Sequence, residues 1–177
     1  IIIKKLVDLI TNKTPTLFVK FGDGEFNCMF YPNRGSNCDN DKFTLKLSKK
    51  LKESYKYIIN NHNNYYIAKW NTKKVIDNCE ALVNNEVNYA EYNTFILLGQ
   101  NHKNGYLDIE KVNIYKQIKL SPLKKVFICN KSLIKSKKLL NIDNLVFIPY
   151  NNWFDNQFDD ILNKVSELIK NEEKFII

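Results

Sequence analysis

The sequence predicts an α/β fold with a mostly parallel sheet and helices on both faces. Three observations lead there. Short apolar runs alternate with amphipathic helical stretches along most of the chain. The runs, such as Val126-Phe127-Ile128-Cys129, are continuously apolar, as in strands covered on both sides. No repeat, linker or low-complexity tail interrupts the 177 residues, which suit a single domain over residues 1–177.

Residues 1–12 place Ile2, Leu6, Leu9 and Ile10 at helical spacing, and Pro15 ends that helix. Residues 16–20 read as a strand, broken by Gly22 and Gly24. A Gly- and Asn-rich loop over 33–41 leads into a long amphipathic helix, 44–59, with Leu47, Leu51, Tyr55 and Ile58 on one side. Strand 65–69, helix 73–83 and strand 94–98 follow, then a polar loop over 99–105. Helix 109–118 is stopped by Pro122, strand 125–129 leads to helix 131–140, and 145–148 is a fifth strand. Helix 156–170 has Phe158, Ile161, Leu162, Val165 and Ile169 inward, and 174–177 begins a sixth strand.

Composition bounds the function. Hydrophobic residues make up 44% and aromatics 13%, a globular rather than disordered balance. No apolar run approaches the ~20 residues of a membrane helix, so no transmembrane segment is expected. The net charge is +8, but Asn, Ile and Lys are all abundant, the signature of AT-rich codons. An anionic partner is compatible with that charge and not demanded by it. Arg34 is the only arginine among 27 basic residues, which weighs against a nucleic-acid reader, where bidentate contacts favour Arg. Cys28, Cys38, Cys79 and Cys129 form no CxxC pair and lie far from His62 and His102, so zinc is not indicated. Cys129 reads as core, and a reduced, cytoplasmic setting is the simplest reading. A homo-oligomer is compatible with the sequence.

In open parallel sheets ligands bind beyond the carboxyl ends of strands. The first such segment is Lys20-Phe21-Gly22-Asp23-Gly24-Glu25-Phe26. Two carboxylates two residues apart repel unless a cation joins them, and Mg²⁺ or Mn²⁺ prefers carboxylate and phosphate oxygen. The flanking glycines would let the backbone turn tightly against a ligand, with the Lys20 charge close by. The other reading is a plain surface turn, since Asp-Gly is a common turn pair. There is no GxGxxG fingerprint. Asn37 and Asp39, in the next loop, would hold a ribose, base or sugar hydroxyl; the other reading is a helix start, with Asp39, Asn40 or Asp41 capping the helix that follows. Asn130 and Lys131 open a helix after the fourth strand, suiting a phosphate or a simple N-cap. Asn152 and Trp153 follow the fifth strand; the indole suits stacking on a base or sugar, or a hydrophobic staple. His102 sits in a polar loop without an identifiable partner and reads as solvated rather than as a general base.

The run Val19-Lys20-Phe21-Gly22-Asp23-Gly24-Glu25-Phe26 resembles the RFGDGE/KFGDGE signature of GT-D-type glycosyltransferases. Asn37-Cys38-Asp39, Val126 to Asn130, and Phe147-Ile148-Pro149 with Asn152-Trp153 resemble further segments of one branch, so the likeness spans residues 16–177. It implies a Rossmann-like sheet, a nucleoside-diphosphate sugar donor, a glycan or glycoprotein acceptor and a divalent metal, Mn²⁺ or Mg²⁺. Carried over from the resemblance, Asp23 and Glu25 would take the catalytic, metal-holding role. Lys20, Gly22, Gly24, Asn37, Asp39, Asn130, Lys131, Asn152 and Trp153 would line the donor site, with no nucleic acid expected. Lys20 stands where the better-known branch has Arg, which removes bidentate phosphate contact. An Arg expected after the third strand is replaced by Leu98-Gly99-Gln100. The family continues into a Gly-rich loop and an Asp-x-Gly segment, so the resemblance also implies truncation at the C-terminus. Members occur in bacteria and large DNA viruses; a viral protein of this kind would work in the host cytoplasm. The alternatives are a non-catalytic sugar-nucleotide-binding module, a phosphoesterase and a basic nucleic-acid-binding protein.

Overall fold

The computed structural model describes residues 7–8, 10–31, 37–38, 41–69, 72–84, 86–91, 102–103, 106–107, 109–149 and 153–177. The chain divides into two compact units, Thr16–Gln100 and Ile1–Pro15 with Asn101–Ile177. Each has its own three-stranded parallel sheet, and the class is mixed α/β as expected. The expected strand over 94–98 lies outside the described residues, as does most of helix 1–12, of which residues 7–8 and 10–11 are helical.

In the first unit the elements are β1 (Leu17–Val19), α1 (Asp23–Phe30), the short hairpin β2 (Asn37–Cys38) and β3 (Asp41–Lys42), α2 (Leu45–Asn61), β4 (Tyr65–Lys69), α3 (Lys73–Val83) and β5 (Tyr89–Glu91). The sheet order is β1-β4-β5, with Leu17 beside Tyr65 and Ile67 beside Tyr89. Thr44 caps α2 by accepting the Leu47 N–H at 3.0 Å. Asn84 ends α3 with φ 54°, the left-handed cap position that Asn tolerates in place of Gly. Phe26, Met29, Tyr55, Ile67, Val75 and Cys79 form the core, with Leu51 and Ile58 packed against it. Burying such side chains contributes about 1.5–3 kcal/mol each, and this is what holds α1, α2 and α3 on the sheet.

The second unit contains β6 (His102–Lys103), β7 (Tyr106–Leu107), α4 (Ile109–Leu120), β8 (Lys124–Cys129), a 3₁₀ turn (Lys131–Leu133), α5 (Ser136–Leu140), β9 (Asn144–Phe147), α6 (Trp153–Ile169) and β10 (Phe175–Ile176). Its sheet order is β10-β8-β9. Val126, Val146, Ile161 and Val165 form the core between sheet and α6. The face of α6 differs from the sequence expectation. Phe158 is 36% and Leu162 52% exposed, while Phe154 is buried, because the helix starts at Trp153 and its inward line runs through Phe154, Ile161 and Val165. The expected helix over 131–140 is split into a 3₁₀ turn and a five-residue helix. Lys125 is buried; its Nζ donates to the carbonyls of Ser121 (2.8 Å) and Leu123 (3.2 Å), so its charge fastens the turn before β8. Its backbone N–H donates to Asp143 Oδ2 at 2.7 Å, which joins the starts of β8 and β9.

One feature of the first core is polar. The hydroxyls of Tyr55 and Tyr89 and the Cys79 thiol lie beside one another, and among the described residues neither hydroxyl meets a partner in hydrogen-bond geometry. Burial pushes the Cys79 thiol up to about 11 and Tyr89 up to about 12, and holds Tyr55 well above the phenol range. Below the unfolded thiol value both states keep these protons, so stability is unaffected. Above it the unfolded chain releases protons that the folded chain retains, and stability falls. The melting temperature should therefore hold level to about pH 9 and drop towards pH 11, with Cys79 alone accounting for roughly 2–3 kcal/mol of the loss. Cys79→Ala should flatten the first part of that decline; a profile identical to the parent's would contradict this assignment.

Candidate functional site

β1 ends at Val19, and the exposed Lys20 and buried Phe21 carry the chain into α1. Gly22 is the N-cap of that helix, with extended backbone (φ −83°, ψ −173°). Glu25, three residues on, accepts the Gly22 N–H through Oε2 at 2.7 Å. This is half of a capping box; glycine has no side chain to supply the other half. Phe21 and Phe26 bracket the turn with ring centroids 6.1 Å apart, the contact of a hydrophobic staple. The acidic motif is thus a helix start rather than a loop. Gly22 has extended backbone and Gly24 lies inside the helix. Two signals in the sequence mark this start, the Glu three residues after the cap position and the Phe on either side.

Asp23 and Glu25 occupy the first and third positions of α1. The Asp23 side chain lies outside the described residues, and so does the separation of the two carboxylates. Glu25 fits a metal-holding role in one respect: a ligating carboxylate is ordinarily steadied by an outer hydrogen bond, and the Gly22 N–H supplies one while leaving Oε1 outside that bond. Among the described residues no three His, Cys, Asp or Glu gather as a metal-binding group. A cation here would lean on this pair and on ligand oxygen, as Mg²⁺ does at phosphate sites. The first intrahelical bond runs from Phe26 N–H to Gly22 O at 3.1 Å, so the amides of residues 23–25 precede the helical ladder. That end of the helix attracts negative charge, which accounts for acidic side chains here even without a ligand.

The β2–β3 hairpin lies against α1, which brings the Asn37 backbone beside the acidic helix; the Asn37 side chain and Asp39 lie outside the described residues. In the other unit, Asn130 and Lys131 follow β8, and Trp153 opens the helix after β9, its parallel neighbour. Asn130 Oδ1 accepts the Ser132 N–H at 3.0 Å and so caps the 3₁₀ turn, while Lys131 is exposed. Trp153 is the first residue of α6 and packs on its core, its ring 6.2 Å from Phe154 and 6.4 Å from Phe158. Asn152 lies outside the described residues. The backbone of His102 pairs with Leu107 in a short antiparallel hairpin rather than a loop, its side chain being outside the description.

Set against known proteins, the chain matches no protein-family model, no curated protein and no solved structure.

The capping bond has a measurable consequence. Glu25→Ala should lower stability by about 1 kcal/mol, or roughly 2–4 °C in melting temperature. Glu25→Gln keeps an acceptor for the Gly22 N–H and should melt within about 1 °C of the parent. Equal losses in both variants would show that charge, not the cap, is what Glu25 contributes.

Proposed function

We propose that this chain is the donor-binding part of a metal-assisted glycosyltransferase, with a Rossmann-like arrangement of its sheet. The observation that carries the proposal is the acidic first turn of α1, which starts four residues after the carboxyl end of a parallel strand. Amides at a helix start and two acidic residues in one turn suit a diphosphate and its cation. The β10-β8-β9 order supports the Rossmann-like reading: the chain leaves β8 for a neighbour on one side and returns to its other side, as at the switch point of doubly wound sheets. Here the KFGDGEF run again resembles the GT-D signature.

In this reading the donor is a UDP- or dTDP-like sugar and the acceptor a hydroxyl of a glycan or glycoprotein. The acceptor oxygen bonds to the anomeric carbon, the bond from that carbon to the diphosphate oxygen breaks, and the diphosphate leaves with the electron pair. The acceptor proton passes to a base. A divalent ion held by Asp23 and Glu25 would neutralise charge growing on the leaving diphosphate. Lys20, exposed at the strand end, adds a point charge in place of a bidentate guanidinium. The Gly22 N–H holds the Glu25 carboxylate in place. The setting proposed is cytoplasmic; no helix among the described residues is long and apolar enough to cross a membrane.

The same capping bond favours a second reading, in which the acidic turn only starts a helix and the chain has no metal site. A thermal-shift screen of UDP- and dTDP-sugars with and without Mn²⁺ separates the two. A ligand at about a hundredfold its Kd stabilises the native state by ~2.7 kcal/mol, roughly 5–10 °C here. The enzyme reading expects one sugar nucleotide to give a Mn²⁺-dependent shift that Asp23→Asn and Glu25→Gln both abolish. No such shift with any donor, or one that survives both substitutions, would leave the helix-start reading standing.

A further inference from the structure

Between Glu110 and Asp143 the sequence contains nine lysines and no acidic residue. The centre of that stretch is the segment after β8, where the chain winds through the 3₁₀ turn Lys131–Leu133, two right-handed helical residues and α5. Lys131, Lys135, Lys137 and Lys138 are all exposed on it. Large aliphatic side chains are exposed among them: Leu133 at 43%, Ile134 at 56% and Leu139 at 66%. The surface continues onto the end of α4, because Asn141 Nδ2 donates to the Lys119 carbonyl at 3.4 Å, and Leu120 there is exposed. Leu140 and Ile142, both buried, anchor this segment from within.

We infer that residues 131–139 are a docking surface for an anionic lipid bilayer. Lysines by themselves would read as a solvated face, and scattered leucines by themselves as ordinary surface. Their interleaving is the arrangement that binds at a headgroup boundary, with aliphatic side chains entering the acyl edge and ammonium groups meeting lipid phosphates and carboxylates. Charge complementarity selects the occupant: with no acidic side chain in the stretch, a cationic or neutral partner gains nothing from it. Nucleic acid is the other polyanion, but single strands are held by stacking on aromatic rings, and the side chains presented here are Leu and Ile.

Co-flotation with vesicles tests this on the full chain. Vesicles of equal parts phosphatidylcholine and phosphatidylserine should bind the protein, and pure phosphatidylcholine should not. Each lysine near such a surface strengthens binding by about fivefold, so the triple change Lys135→Gln, Lys137→Gln, Lys138→Gln should weaken it at least ~tenfold. The pair Ile134→Ser, Leu139→Ser should weaken it as well, with unchanged circular dichroism. Removing equal charge from exposed positions on α2, by Lys49→Gln, Lys50→Gln and Lys56→Gln, should have little effect. The inference is overturned if anionic vesicles are not bound, if the α2 change weakens binding equally, or if the Ser pair binds as the parent does. Binding to polyuridylate through Lys135, Lys137 and Lys138 without vesicle binding would assign the surface to nucleic acid instead.

Discussion

A single hydrogen bond, from the Gly22 N–H to Glu25 Oε2, decides how the most distinctive stretch of this chain is arranged. It caps the start of α1, three residues (Lys20 to Gly22) beyond the end of β1, with Asp23 and Glu25 in the first helical turn. The Phe21–Phe26 contact secures the same turn from the apolar side and buries both rings in the core shared with Tyr55. Acidic residues are therefore held at the rim of a parallel sheet by packing that exists with or without a ligand. The proposed cation site asks a second duty of the same side chain. A helix start needs one acceptor at the third position, whereas a cation needs charge and free lone pairs. A carboxylate has two oxygens and can serve both.

The parallel pairing sets the geography of everything else. Because β1, β4 and β5 run together, as do β8, β9 and β10, the segments that leave their carboxyl ends emerge on one edge of each sheet. Lys20 and the acidic turn leave one such edge, and Asn130, Lys131 and Trp153 leave the other. Within the second unit this places Lys131 at the start of the lysine- and leucine-bearing segment, next to the Asn130 cap. The proposed donor chemistry and the inferred lipid surface rest on separate residues, apart from the neighbourhood of Lys131, and stand or fall separately.

Much of the fold was legible because local signals agreed with packing. β4 and α3 lie where the sequence puts them, bounded by Asn-rich turns and built from apolar runs of the right period. Thr44 signals the start of α2 in the same way. What escaped has physical reasons. α1 contains a glycine at its second position, which lowers helix propensity, and tertiary contacts of Phe26 and Met29 override it. The β2–β3 and β6–β7 hairpins are two residues a side, too short for any periodicity. β5 is only three residues long and hides in a polar stretch. The turn of α6 that faces the sheet depends on where the helix begins, and Phe158 and Leu162 are apolar enough to mislead. As for the candidate site, the N-cap alternative for Asn130 was legible from its place before a helix, whereas the capping bond of Glu25 was not drawn from the acidic run; Asp39 and Asn152 lie outside the described residues.

The most direct measurement is paramagnetic broadening of backbone amide resonances by Mn²⁺ in the presence of UDP. A cation shared by Asp23 and Glu25 should selectively broaden the signals of residues 22–26, and replacement of Mn²⁺ by Mg²⁺ should restore them as sharp, shifted peaks. Broadening spread evenly over exposed acidic side chains such as Glu53 and Glu167, with residues 22–26 untouched, would contradict the account and leave the turn as a helix start alone.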